Sequence, residues 1–209
     1  MTQFQDSVNN GEAISTQKFK EEYAKGRRDF SYTNLTKINL QGMSLCEIDL
    51  RCAVLYKANL EGVNLFKANL TGANCANANL SWANLSLACL ENTNFASAEL
   101  YQVDLQGATA LGCNFYKANL QGANLSQADL ERANLSYANL RDADLSWANL
   151  SGTNLAQTNL QNTNLSWADL DIANPEHAQF KFTTLTGVRL PWGVYIVSHK
   201  KARKEDHSH

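Results

Sequence analysis

The sequence predicts an all-β solenoid, in which the chain coils about one axis and turns a corner every five residues. From position 35 to position 190 every fifth residue forms a regular series of 32 positions, called centres below, and leucine fills all but six of them. The residue two before the centre is alanine in 19 units, and the residue directly before it is Asn or Asp in 24. The six exceptions at the centres are Cys75, Phe95, Ala110, Phe115, Pro175 and Phe180.

A period of five excludes the two common regular structures. A helix would distribute such leucines all round its surface, and a flat strand would send successive ones to opposite faces. If the chain turns in every unit, each leucine can point to a common axis, and the alanine two residues earlier points the same way. Eight of the eleven glycines lie two residues after a centre, where a tight corner favours a permissive backbone. The Asn side chains are expected to bond the turn backbone and to stack in ladders between coils.

The period alone leaves the number of sides open, since three sides and four sides both fit. We prefer four sides, which gives a coil of twenty residues, because Phe95 and Phe115 are twenty residues apart and would then stack. Trp147 and Trp167 have the same separation. Residues 30–190 would then form about eight coils.

Both ends of such an array need a cover, because an uncapped coil presents apolar side chains and unpaired backbone groups. The chain divides into residues 1–29, 30–190 and 191–209. Residues 1–14 are expected to be mobile. The repeat weakens after Asp171, and the apolar stretch from Pro191 is expected to fold over the last coil, ahead of a disordered tail at 198–209. Trp192 in that stretch is a candidate contact for a homodimer formed through the C-terminal end.

A short helix from Thr16 to Lys25 is predicted to cover the first coil. Ser15 precedes it as an N-cap, and Gly26 follows it where a left-handed residue commonly ends a helix. Phe19 and Tyr23 are four residues apart and share one face of the helix.

Composition excludes several functional classes. The net charge is −2, so strong attraction to nucleic acid or an anionic membrane is not expected, and no apolar run is long enough to span a bilayer. The five cysteines include no C-x-x-C pair and no two that are twenty residues apart, so neither a disulfide framework nor a metal site is predicted. The four histidines are expected to be solvated. We therefore expect no catalytic residues and no cofactor, in a protein of the cytoplasm.

The repeat units resemble those of the pentapeptide-repeat proteins, whose consensus is A(D/N)LXX. Good matches are residues 58–62 (ANLEG), 118–122 (ANLQG) and 143–147 (ADLSW), and the resemblance covers about 160 of 209 residues. It implies a right-handed quadrilateral β-helix with two inward positions on each side. The segment Tyr23–Phe30 also resembles the leader of many cyanobacterial members, in which a short helix precedes the first coil.

The resemblance implies little about function, since activity lies in surface features. Some members resemble duplex DNA and inhibit or protect DNA gyrase, and this is the alternative function for the chain. Residues 31–190 hold thirteen acidic and nine basic side chains, a net charge of −4. Duplex DNA carries one negative charge per about 1.7 Å of its axis, so this chain would reproduce only a small part of that charge density.

Apolar side chains at outward positions are the remaining surface signal. With four sides, Phe66, Leu87, Trp147 and Trp167 share one face. A charge-poor face with aromatic side chains is typical of protein interfaces, although the same side chains could simply stack along the wall of the coil. The sequence thus predicts a non-catalytic scaffold that binds an unidentified protein partner through the outer wall of a β-helix.

Overall fold

The computed structural model describes residues 11–190, and its regular part is a stack of four-sided coils. Each side contributes one parallel β-bridge residue, which pairs with the residue twenty positions further on, from Asp29 with Asp49 to Asp169 with Arg189. Twenty-residue coils, and therefore four sides, are confirmed. Eight coils follow one another between positions 31 and 190, and in this part of the chain no strand is longer than a single bridge.

A hydrogen-bonded turn forms every corner. The centre carbonyl accepts from the N–H three residues on, as between Leu55 and Ala58 at 2.9 Å. The second corner residue has φ between 50° and 69° at all 32 corners from Tyr32 to Gly187, the left-handed value that a type II turn requires. Glycine occupies 8 of these corners, but 24 other residues adopt the same φ, including Trp147 and Trp167. The corner geometry thus tolerates large side chains, which it directs outward.

Backbone hydrogen bonds join each coil to the next in both directions. The N–H of Leu55 donates forward to the carbonyl of Asn74 at 2.7 Å, and the N–H of Asn59 donates back to Ile38 at 2.8 Å. Every centre from Leu35 to Leu170 donates forward in this way. Pro175 occupies a centre in the last coil and has no N–H to donate.

The centres and the residues two before them fill the interior. The leucine centres from Leu35 to Leu170 are at most 1% exposed, and Phe95 stacks on Phe115 with ring centroids 5.2 Å apart. Cys75 and Cys113 are buried in this core, as the sequence suggested. Burial raises the pKa of both thiols, that of Cys113 to about 12, so both stay protonated.

Threonine takes the alanine position in several coils without leaving an unsatisfied hydroxyl. Thr158 is fully buried, and its Oγ1 donates to the carbonyl of Leu135, 23 residues earlier, at 2.8 Å. Thr93, Thr153 and Thr163 make the equivalent bond. Among the described residues no buried side-chain nitrogen or oxygen lacks a partner.

Helix α1, Thr16–Ala24, covers the first coil as predicted and ends one residue earlier than expected, because Lys25 is its C-cap. Ser15 accepts from Lys18 N at 3.1 Å, and Gly26 follows with φ of 95°. Phe19 is fully buried with its ring 4.3 Å from that of Phe30.

Residues 11–14, which precede the helix and were predicted to be mobile, are bonded to the first coil. The N–H of Ile14 donates to the carbonyl of Asn34 at 2.9 Å, and the side chain of Asn34 donates to the carbonyl of Gly11 at 2.6 Å. Residues 11–14 thus lie along the edge of the first coil and supply it with backbone partners, which the sequence pattern gave no means to foresee.

The bridges continue without a break through the last coil, although the sequence repeat weakens there. Its inward side chains are only half-buried, among them Phe180, Leu185 and Val188. The expected C-terminal cover, the tail and the dimer contact at Trp192 lie outside the described residues.

Candidate partner-binding surface

The four side chains singled out from the sequence lie on one edge of the solenoid. Each follows a centre of the same stacked series, at positions 65, 85, 145 and 165. Leu87, Trp147 and Trp167 are second corner residues, with 48%, 60% and 53% of their surface exposed, whereas Phe66 is a first corner residue and is half-buried.

The edge carries two separate apolar patches. Leu87 and Trp147 are three coils, or about 14 Å, apart, and the two corner positions between them hold Gly107 and Gln127. Phe66 and Leu87 follow centres in adjacent coils and form one patch, and Trp147 and Trp167 form the other. The single face expected from sequence is therefore divided.

Trp147 and Trp167 form an ordered pair, called the tryptophan edge below. Their rings are 5.4 Å apart between centroids and 14° from parallel. Trp167 in turn lies over Gly187, where a Cβ atom would be 2.4 Å from the ring. Stacking along the wall thus fixes the orientation of both indoles, and more than half of each side chain still faces solvent.

Two sides of the solenoid meet at the tryptophan edge, and they hold most of the acidic groups of the neighbouring coils. Residues 121–180 contain seven acidic and two basic side chains, whereas residues 31–120 contain six and five. Six of the seven lie on the two sides that meet at this edge, or on the far corners of those sides. They are Asp129, Glu131, Asp142, Asp144, Asp169 and Asp171.

The two sides that do not adjoin the tryptophan edge have uncharged bridge residues in these coils. Their bridge residues are Asn134, Asn154 and Asn174 on one side and Asn139, Asn159 and Gln179 on the other. On the first side an Asn ladder runs from Asn74 to Asn174, in which each Nδ2 donates to the Oδ1 of the preceding coil at 3.1–3.5 Å. The ladder predicted from sequence is confirmed.

Ion pairs neutralise some of the carboxylates. Arg189 donates from Nη1 to Asp169 at 3.0 Å and from Nη2 to Asp171 at 2.8 Å, so one guanidinium bridges the two carboxylates on either side of the centre Leu170. Asp129 and Asp144 accept from Asn side chains of the next coil and have no basic partner among the described residues.

The same corner position also exposes two side chains that the sequence analysis did not single out. Ile172 and Phe182 are 73% and 68% exposed, the largest values among large apolar side chains in the described range. Both are second corner residues, so the five-residue phase alone would have identified them. Trp82, 55% exposed, occupies the same position on another edge and donates its indole N–H to Gln102 at 3.0 Å.

Residues 11–190 offer no arrangement typical of a metal centre: no three His, Cys, Asp or Glu side chains are grouped to hold an ion. Within the same range no helix has the length and apolarity that a membrane span requires. The exposed groups that distinguish this surface are therefore the indoles and the carboxylates beside them.

A family model for pentapeptide repeats matches residues 29–65, 64–100, 98–136 and 138–174 in 8 copies. The chain belongs to the pentapeptide-repeat family. Membership implies a right-handed quadrilateral β-helix and a repeat scaffold, in agreement with the four-sided coils.

Solved structures of pentapeptide-repeat proteins resemble the chain. One, from the thylakoid lumen of Arabidopsis thaliana, is 36% identical over 44% of this chain and 65% of that one, with a TM-score of 0.44. This chain therefore spans just under two thirds of that relative. HetL, which is involved in heterocyst differentiation regulation in the cyanobacterium Nostoc, is 27% identical over 88% of this chain and 100% of that one, with a TM-score of 0.38. QnrB1, a plasmid-mediated fluoroquinolone resistance protein, is 19% identical over 75% and 86%, with a TM-score of 0.40. Comparison with curated proteins gave no match.

Proposed function

We propose that this pentapeptide-repeat protein is a non-catalytic scaffold of the cytoplasm, and that it binds a protein partner through its outer wall at the tryptophan edge. The observation that carries the proposal is the exposed, mutually stacked pair Trp147 and Trp167 on a hydrogen-bonded frame. Tryptophan is among the residues that most often dominate the binding energy of interfaces. Because the corners hold both side chains in place, binding would cost little side-chain entropy.

The pair supplies only part of a footprint. Two half-exposed indoles offer about 300 Å² between them, whereas a standard interface uses about 800 Å² on each partner. The partner must therefore also contact the two sides that meet at the tryptophan edge. Leu87 and Phe66, about 14 Å and 19 Å from Trp147 along the same edge, offer a second contact for an elongated partner.

The test is capture of partners by the purified full chain, compared between the wild type and the Trp147→Ala/Trp167→Ala variant. We expect the variant to lose the captured partner, while its melting temperature falls by no more than about 3 °C, because the lost ring stacking is worth about 1 kcal/mol and both side chains lie outside the core. Trp82→Ala is the matched control, since Trp82 is equally exposed on another edge and should not affect capture. Capture that is unchanged in the double variant would contradict the proposal.

A further inference from the structure

We infer that the partner presents a basic, arginine- or lysine-rich segment to the tryptophan edge. This inference rests on the proposed function and adds the chemistry of the occupant. Residues 121–180, which form the coils around Trp147 and Trp167, carry a net charge of −5, which Lys181 and Arg189 reduce to −3 over residues 121–190, against −1 for residues 31–120. The part of the solenoid that exposes the paired indoles is thus also its most acidic part.

The placement of the charges matters more than their number. Six of the seven acidic side chains in residues 121–180 lie on the two sides that meet at the tryptophan edge or on the far corners of those sides, and Glu176 alone lies elsewhere. A segment lying along the edge would therefore have an apolar stacked surface beneath it and carboxylates on both flanks. Such an arrangement favours an extended cationic chain, and it repels an acidic one.

The indoles themselves are suited to cations. At four other corners a lysine ammonium lies 5.1–5.2 Å from the ring centroid of its neighbouring aromatic residue, as Lys57 does with Tyr56. At the tryptophan edge the neighbouring corner residues are Ser146 and Ser166, and no cation of the described chain lies over either indole. Tryptophan attracts cations more strongly than the other aromatic side chains. Because Trp167 has Trp147 against one ring face and Gly187 against the other, the ring face available to a cation from a partner is the face of Trp147 that points away from Trp167.

The wall also shows how a guanidinium can be held beside the indoles. Arg189 bridges Asp169 and Asp171, and two coils earlier Asp129 and Glu131 occupy the same two positions of the repeat. The position that corresponds to Arg189 is there filled by Asn149, which donates to Asp129 at 2.9 Å and brings no charge. Asp129 and Glu131 thus repeat the acceptor pair that Arg189 uses. The exposed Arg132 lies 3.4 Å from Glu131, whereas Asp129 accepts from neutral donors alone among the described residues and keeps its charge for a guanidinium of the partner.

The experiment measures binding of a fluorescein-labelled peptide of alternating arginine and alanine to the full-length protein, by fluorescence anisotropy at low and moderate salt. A peptide of alternating glutamate and alanine is the ligand control. We expect the arginine peptide to bind and the glutamate peptide not to bind. Trp147→Ala/Trp167→Ala should weaken binding about tenfold at both salt concentrations, because the cation–π contact with the free face of Trp147 and the apolar contact with the exposed parts of both rings are lost.

A charge variant and its control distinguish binding of the peptide at the tryptophan edge from a general attraction of the peptide to an acidic protein. Asp129→Asn/Glu131→Gln should weaken binding about tenfold at low salt and less at moderate salt. Glu99→Gln/Glu176→Gln removes the same number of charges away from the tryptophan edge and should change the affinity less than about twofold. Equal losses in the two charge variants, or wild-type affinity without the indoles, would overturn the inference.

Two outcomes assign a failure to its source. If capture of a protein partner requires the two tryptophans but binding of the arginine peptide does not, the inference of a basic segment is wrong and the proposed function stands. If replacement of Lys200, Lys201, Arg203 and Lys204 by alanine strengthens peptide binding more than about tenfold, the occupant of the surface is the tail of this chain and not a partner.

Discussion

Replacing Asn114 by aspartate should destabilise the solenoid because it removes a donor from the middle of the Asn ladder. The Asn114 amide donates from Nδ2 to Asn94 Oδ1 at 3.1 Å, and its Oδ1 accepts from Asn134 Nδ2 and from the N–H of Tyr116. A carboxylate can keep both acceptor roles, but it sets an oxygen against the oxygen of Asn94. The lost bond and the repulsion together should cost about 2 kcal/mol, or about 6 °C in melting temperature for a domain of this size.

Asn74 is the matched control, because it begins the ladder. Its Oδ1 accepts from Asn94 Nδ2 at 3.3 Å and from the N–H of Ala76, as Asn114 does with its own neighbours. The residue below it is Val54, so its Nδ2 has no ladder oxygen to bond. Asn74→Asp should therefore change the free energy of unfolding by less than about 0.5 kcal/mol.

Urea unfolding of both variants as a function of pH provides the assay. In Asn114→Asp the neighbouring oxygen of Asn94 disfavours the charged carboxylate and so raises its pKa in the folded state. The loss of stability is therefore full above that pKa and is relieved as the pH falls through it. The stability difference between the two variants should accordingly shrink as the pH falls from the raised folded pKa towards about 4, the ordinary pKa of aspartate, and should be smallest below it. Equal losses in both variants, or a difference that does not respond to acid, would refute the donor-based reasoning.

Three further predictions concern a corner, the cap and the alternative function. Gly187→Ala should displace the Trp167 ring and lower the free energy of unfolding by about 2 kcal/mol. Gly42→Ala is the control and should cost about 1 kcal/mol, because Gly42 has a similar φ but open space around it. Urea unfolding would measure the loss of stability, and near-ultraviolet circular dichroism would report the displaced indole. Burial raises the pKa of Glu22, but its bonds to Arg27 and Lys18 outweigh this and hold the pKa below its usual value. Its contribution is present above the unfolded pKa and lost as pH falls through the folded one, so Glu22→Gln should reduce the acid sensitivity of the melting temperature. Excess protein should leave DNA gyrase supercoiling unchanged, and inhibition would favour the DNA-mimic alternative.

Much of this architecture is readable from the sequence, because one rule repeats without interruption. The twenty-residue separation of Phe95 and Phe115 correctly predicted their stacking, and the phase of the repeat placed the indoles outside. The fit of Trp167 over Gly187 follows from the same offset, and Leu87 lies over Gly107 in the same way. A glycine twenty residues after a large corner residue is the signal that could have revealed both contacts.

Other features depend on contacts that a five-residue pattern does not encode. Thr158 looks like a polar misfit in the alanine series, and only the position of the Leu135 carbonyl in the previous coil explains why it can be buried. The pairing of Ile14 with Asn34 likewise depends on a segment outside the repeat. The division of the candidate surface into two patches was accessible from the sequence, since it needs only a count of coils between Leu87 and Trp147.

Pro175 affects how the protein behaves at high concentration. A stack of identical layers has no intrinsic length, so its last layer is a template on which another chain could continue the same hydrogen bonding. At three of the four centres of the last described coil the backbone has an N–H to donate to a following layer; at the fourth, proline has none. Pro175 therefore removes one of the donors that growth from this layer would use, and we expect Pro175→Leu to leave the fold intact while increasing end-to-end association in light scattering.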